Sequence, residues 1–347
     1  MLAPLPERVL VKEVNWLGDV VMSLPALRAV RRALPRAHLA VLVKRELAGF
    51  FDGSRWIDEV LPYTVARGLQ GVVDRWRIVA QIRARRFDLA VLFPRSFESA
   101  LWVTLARVPR RAGVVADARG LLLTHGTKLA GDALEGHQVG RYLYLLRQVL
   151  DIDGSSGDYV PDIHEPHRLH MRAWLTTRRQ RPQAKLVALA AGAAFGPAKE
   201  WPAAHYAALI DLLAQRYAAE CVLVGSGGER RKCEEVVAAS KAGALIAAGE
   251  TSIGELLALL SLCDAFAGND SGAMHVAGAI GIPTVGLFGS TNPEHTGPLG
   301  ANASVLYHRI ECSPCLQRTC RFGHYQCLQQ ISPEEVVKSL SDRGAFE

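Results

Sequence analysis

Residues 264–289, DAFAGNDSGAMHVAGAIGIPTVGLFG, decide how this chain is read. They spell a buried strand, a polar turn, a short helix and a second buried strand, the unit from which parallel sheets are built. The turn Asn269, Asp270, Ser271 and Gly272 falls where the first strand ends and the helix begins. Unpaired main-chain N–H groups point outward there and hold anions. A carboxylate, a hydroxyl, a glycine and His275 within seven residues predict a ligand loop, with phosphate or sugar as the ligand chemistry.

The same rhythm extends both ways. Apolar runs predict strands over 8–14, 39–43, 57–61 and 88–93, interleaved with helices over 20–33, 69–83, 97–106 and 137–150. The polar, turn-rich stretch 151–158 marks a linker. Alternation then restarts with helix 167–181, strand 185–190, helix 203–217, strand 220–224, helix 229–240, strand 245–248 and helix 253–260. Nearly continuous apolar strands between helices imply parallel sheets covered on both faces. The expectation is an α/β chain of two Rossmann-like doubly wound domains, 1–155 and 156–347, facing across a cleft that holds the site. Ligands in such sheets lie beyond the carboxyl ends of the strands.

Composition narrows the function classes. Apolar residues make up 49% and charged residues 21% of 347, ordinary for a globular chain. No apolar run reaches the roughly 18 residues that span a bilayer, and residues 1–8 carry no signal-peptide pattern. A cytoplasmic location is expected, with the seven cysteines reduced or metal-bound. Residues 1–150 hold 23 Lys+Arg against 13 Asp+Glu, a net of +10, while 151–347 hold 17 against 21, a net of −4. A basic first half fits an anionic partner. No nucleic-acid-binding signature accompanies it, so nucleic acid is not the expected partner.

Four motifs carry chemistry. In NWLGD, residues 15–19, Gly18 allows a tight turn and Asp19 falls in a first helical turn, where a carboxylate suits the helix dipole. In AGAAFGPAKEWP, residues 191–202, Gly192 and Gly196 permit close backbone approach and Lys199 offers a point charge to phosphate. The pattern is neither a dinucleotide fingerprint nor a P-loop, which argues against NAD- and P-loop-dependent chemistry. In VGSGGE, residues 224–229, Glu229 is placed to accept hydrogen bonds from a ribose or to cap a helix. Finally Cys312, Cys315, Cys320 and Cys327, with His324 between them, read equally as a structural zinc site or as buried thiols.

Taken in order, these motifs resemble the ADP-heptose:lipopolysaccharide heptosyltransferases, the family 9 glycosyltransferases. The likeness runs from 15–27 through 93–100, 111–113, 192–199, 201–202 and 269–275 to 331–333, and the segment 312–327 looks most like the branch that adds the second heptose. The resemblance implies a GT-B fold with an N-terminal acceptor domain and a C-terminal ADP-sugar domain. It implies inverting transfer of heptose from ADP-heptose to the anionic lipopolysaccharide inner core, with no catalytic metal or cofactor. Asp19 would be the general base and Lys199 the holder of the diphosphate. Gly192, Asp270, Ser271, Gly272 and His275 would line the donor site, and Glu229 would meet the adenosine ribose. Gly18, Arg95, Arg119 and Arg141 would face the acceptor, with peripheral contact at the cytoplasmic face of the inner membrane. The alternatives are a family member with another nucleotide sugar or acceptor, as in first- or third-heptose enzymes, and a non-catalytic glycan-binding homologue. The chain departs from the family's usual residues at Arg95 (often Asn), Ala191 (often Pro) and Glu200 (often Arg).

Overall fold

The computed structural model describes residues 4–347; the first three residues of the predicted N-terminal domain lie outside them. The chain forms two compact units, Met1–Asp162 and Ile163–Glu347. Arg28 explains why the first unit runs past residue 155. Its guanidinium donates to the carbonyls of Asp158 and Val160, and Arg32 pairs with the Asp158 carboxylate, so the polar stretch is bound back onto the first unit.

The first unit holds a six-stranded sheet of β1 (Arg8–Lys12), β2 (His38–Lys44), β3 (Glu59–Tyr63), β4 (Leu89–Leu92), β5 (Arg110–Val114) and β6 (His125–Thr127). Its spatial order is β3-β2-β1-β4-β5-β6 and every pairing is parallel. The second unit repeats the plan with β7 (Leu186–Ala190), β8 (Glu220–Leu223), β9 (Leu245–Ile246), β10 (Ala265–Asn269), β11 (Thr284–Phe288) and β12 (Ala303–Tyr307). Its order, β12-β11-β10-β7-β8-β9, is the same winding read from the other edge, again all parallel. Each sheet therefore reverses its direction of growth once, between β1 and β4 and between β7 and β10, and such switch points open a crevice at the carboxyl ends of the strands.

Burial explains the order of the strands. The central strands β4, β7, β10 and β11 are buried at every position, as expected for sheets covered on both faces. The helix α1 (Leu17–Ala33) follows β1 and buries most of its length, with Pro25 inside it. Two further helices of the first unit, α2 (Gly68–Ala84) and α3 (Phe97–Leu105), follow β3 and β4. Ile78, Val79 and Ile82 of α2 join Trp102 and Val103 of α3 in one apolar cluster with Leu10, Leu42 and Leu92 of the sheet. At about 25 cal/mol per Å² of apolar surface removed from water, clusters of this kind supply the main favourable contribution to folding each unit. Among the described residues, no helix is long and apolar enough to cross a membrane.

Candidate active site

At the first switch point, β1 ends in Lys12 and leads through Glu13, Val14 and Asn15 into α1, while β4 ends beside Phe93, Pro94 and Arg95. A cavity of about 240 Å³ opens here, bounded by Asn15, Asp19, Arg95, Gln138, Arg141 and Tyr142 among others. Asp19 is half-buried in the first turn of α1, where the exposed N–H groups favour a negative charge. Gln138, the first residue of the helix Gln138–Leu150, places Nε2 3.5 Å from Asp19 Oδ1 and donates to Tyr142 Oη at 3.0 Å. Burial, and then the Asp19 charge, push the Tyr142 phenol well above its ordinary range, so it stays neutral. Arg141 donates to Gln138 Oε1 at 3.2 Å and to the Leu134 carbonyl at 3.0 Å, and Arg95 stands exposed at the rim.

Two of the expected acceptor contacts differ from the sequence reading. Gly18 makes no tight turn; it is the buried second residue of α1 and does not bound the cavity. Arg119 is 0% exposed. Its Nε donates to Val114 O at 2.8 Å, and its Nη1 to Pro94 O at 2.5 Å, Ser96 O at 3.2 Å and Ser99 Oγ at 3.1 Å. It braces the segment that carries Arg95 from behind. Gly113 makes room for it, since a Cβ there would stand 2.7 Å from Arg119 Nη2.

Beneath the cavity lies a pair of buried charges that no motif announces. Lys12 is 2% exposed and Glu13 0%. Lys12 Nζ donates to the Glu13 carbonyl and sits 4.8 Å from the centre of the Tyr63 ring. Glu13 Oε2 lies 2.9 Å from Ser23 Oγ and accepts from Val14 N at 3.1 Å, whereas Oε1 is buried without a partner. Burial pushes the Glu13 carboxyl up to about 7 and draws the Lys12 ammonium down to about 7.

The second switch point gathers the residues expected on the donor side. Lys199, on a single 3₁₀ turn (Pro197–Lys199), places Nζ 2.5 Å from Asp270 Oδ2, which also accepts from Thr291 Oγ1 at 2.7 Å. Asp270 Oδ1 is 3.8 Å from His275 Nε2, and His275 Nδ1 is buried without a partner. Burial raises the Asp270 carboxyl, but the His275 and Lys199 contacts outweigh it and hold it at about 2. Ser271 caps the helix Gly272–Ile280, so the first N–H groups of that helix open beside Asp270.

Asn269 fixes this geometry. Its Nδ2 donates to the carbonyls of Ala191 (2.8 Å) and Gly192 (3.2 Å), and its Oδ1 accepts from Trp201 N (2.9 Å) and Tyr206 Oη (3.0 Å). The fully buried side chain thus ties the end of β10 to both ends of the 191–202 loop. Glu200 pairs with Lys232 at 3.4 Å, away from the Lys199–Asp270 pair. Glu229 closes a capping box with Ser226 through Oε2. Its Oε1 packs over Gly192, where a Cβ would come within 2.4 Å. Gly196, at φ +144°, lies against the Arg318 carbonyl, and Arg318 and Lys199 flank the Phe195 ring at 5.2 and 4.9 Å. Gln138, Tyr142 and Thr291 stand outside every motif and reach these sites only through the strand order, while Arg318 lies inside the cysteine segment without being one of its thiols.

The cysteine-rich segment packs against the loops that follow β7 and β11. Ser313 donates to Gly289 O, Leu316 N donates to Ser290 O at 2.7 Å, and Ala198 N donates to Arg318 O at 3.0 Å. Main-chain N–H groups of Tyr325, Phe322, Gly323 and His324 draw the Cys320 thiol below its ordinary value. The four cysteines are free thiols, Cys327 buried and the others half-buried. Among the described residues, no group of three His, Cys, Asp or Glu is gathered to hold a metal ion.

Comparison with known proteins gives this architecture its class. Residues 75–326 match glycosyltransferase family 9 (heptosyltransferase). Lipopolysaccharide heptosyltransferase 2 of Salmonella typhimurium is 30% identical, covering 96% of this chain and 97% of the relative. Lipopolysaccharide heptosyltransferase 1 of Pseudomonas aeruginosa is 28% identical over the same shares of each. The solved ADP-heptose LPS heptosyltransferase II of E. coli superposes with a TM-score of 0.81 at 27% identity, covering 97% of this chain and 98% of that one. A family 9 glycosyltransferase of Veillonella parvula shares the fold, with a TM-score of 0.85, 24% identity and 97% of each chain covered. The doubled Rossmann-like plan is that of the GT-B glycosyltransferases. Within them, the chain belongs to glycosyltransferase family 9, the heptosyltransferases.

Proposed function

We propose that this enzyme transfers heptose from ADP-heptose to the lipopolysaccharide inner core, adding the second heptose with inversion. The observation that carries the reading is Asp19, set in a pocket whose rim presents Arg95 and Arg141. Such a pocket suits an acceptor hydroxyl on a sugar that carries acidic groups. Near full-length likeness to heptosyltransferase 2 supports the donor and acceptor.

In this reading Asp19 takes the proton of the acceptor hydroxyl as the acceptor oxygen bonds to the anomeric carbon. The bond from that carbon to the diphosphate breaks on the opposite face and its electron pair leaves with ADP. Lys199, Arg318 and the N–H groups opening the helix Gly272–Ile280 meet the growing negative charge. Asn269 keeps the loop that carries Lys199 in register with Asp270. Glu229 Oε1 remains for a ribose hydroxyl, and no step is routed through a metal. The basic acceptor domain meets the anionic cytoplasmic face of a membrane, where a lipid-linked acceptor resides.

The test is transfer from ADP-heptose to defined lipid A–Kdo acceptors with and without the first heptose, read by mass spectrometry. Addition only to the heptosylated acceptor supports the reading. Addition to the bare one favours first-heptose chemistry, which the 28% likeness to a heptosyltransferase 1 also supports. Transfer to neither overturns the acceptor assignment. Metal analysis of the purified protein tests zinc at 312–327.

A further inference from the structure

α2 turns one face to the sheet and an equally apolar face to water. Gly71, Ile78, Val79 and Ile82 are buried, while Leu69, Val72, Val73 and Trp76 are 88%, 51%, 45% and 59% exposed. The exposed four recur at helical spacing and fall in a stripe about 100° wide, which Ala80 extends. Arg67 precedes the helix, Arg75 and Arg77 stand on either side of the stripe, and Arg83 closes its far end. Four arginines against Asp74 give the segment 67–84 a net charge of +3.

We propose that this stripe docks the enzyme on an anionic lipid bilayer, with α2 lying in the plane of the interface. The proposal rests on the reading of a lipid-linked acceptor and names the surface that meets the lipid. An apolar face containing a tryptophan and edged by arginines is the pattern of helices that settle at the headgroup boundary. The arginines decide against a second copy of this chain as the occupant. Two such stripes brought face to face would crowd like charges, whereas anionic headgroups neutralise them. The Arg75–Glu98 ion pair joins α2 to the first turn of α3, three residues beyond Arg95. Docking therefore brings the rim of the acceptor pocket to the lipid surface.

The test compares the wild type with the Val72→Asp/Trp76→Asp double variant in co-sedimentation with phosphatidylethanolamine–phosphatidylglycerol vesicles and with phosphatidylcholine vesicles. Expected is binding to the anionic vesicles alone, weakened roughly tenfold or more in the double variant and kept by Trp76→Phe. Both substitutions fall on the outer face, so melting temperature and transfer to a delipidated acceptor stay at wild-type values. Absent or lipid-indifferent binding of the wild type, or undiminished binding of the variant, overturns the proposal. So does a wild-type dimer in sedimentation velocity that the variant dissolves. Vesicle binding without transfer to any acceptor leaves the docking surface standing and removes the acceptor assignment instead.

Discussion

Lys199 Nζ lies 2.5 Å from Asp270 Oδ2, and the pair is almost fully buried. A diphosphate that takes up Lys199 must share it with a carboxylate already held ionised by that lysine and by His275. Because folding lowers the Asp270 pKa from 3.8 to about 2, its contribution is complete above pH 4 and is lost as the pH falls through about 2. The shift corresponds to about 2 kcal/mol. Acid unfolding followed by circular dichroism should therefore be shallower between pH 4 and 2 in Asp270→Asn than in the wild type. Parallel curves would show that the ion pair does not contribute. Lys199→Ala should weaken ADP binding and slow transfer together; a loss confined to the acceptor would contradict its donor-side role.

Asp19→Asn keeps the side-chain shape and Gln138 as a neighbour but removes the proposed base. Turnover should fall by roughly two decades or more, the usual contribution of a general base, with ADP-sugar affinity unchanged. Single-turnover transfer alongside calorimetric titration of the donor separates the two quantities. Wild-type turnover in this variant would exclude Asp19 as the base.

The sequence reading and the structure part company for identifiable reasons. The strands 185–190 and 284–288 were legible because burial on both faces demands unbroken apolar runs. β5 escaped notice because it opens with Arg110 and Arg111, whose guanidiniums are spent on the carbonyls of Asp88, Leu122 and Val108. β6 is a three-residue edge and β12 a half-buried one, neither with a pattern to read. Asp19, Lys199 and Asp270 stand out in the sequence because they follow closely on the carboxyl ends of β1, β7 and β10. Gln138 does not, since its relation to Asp19 spans 119 residues and exists only once the helix it opens has packed on α1. Arg119 was misread because an arginine in a polar loop defaults to the surface.

Glu13 makes the first unit sensitive to pH in the physiological range. Its folded pKa, raised by burial from 4.5 to about 7, means that its contribution is favourable in acid and is lost as the pH rises through about 7. Glu13→Gln removes that loss while retaining the shape. The melting temperature of the variant relative to wild type should therefore rise between about pH 5 and about pH 8. A difference independent of pH would mean that Glu13 does not titrate across this range.

Arg119 and Arg95 should separate in function. Arg119→Lys keeps the charge but forfeits the forked donors that hold Val114, Pro94, Ser96 and Ser99, and should cost roughly 3 kcal/mol of stability in urea unfolding. Arg95→Ala, at an exposed position, should leave stability within about 0.5 kcal/mol of wild type and raise the acceptor KM. The reverse pattern would make Arg119 the acceptor contact.

Arg318 should behave as a second cation of the donor loop. It lies over the face of Phe195, and its own carbonyl accepts from Ala198 N at 3.0 Å, which anchors the loop through the main chain. Because that anchor is a backbone group, Arg318→Ala removes the charge without removing the support for the loop. ADP affinity should fall by roughly tenfold, AMP affinity should change little, and the melting temperature should hold, since only ADP carries the β-phosphate that Arg318 would meet. Equal losses for ADP and AMP would place Arg318 near the nucleoside instead and leave Lys199 as the sole side-chain cation on the leaving group.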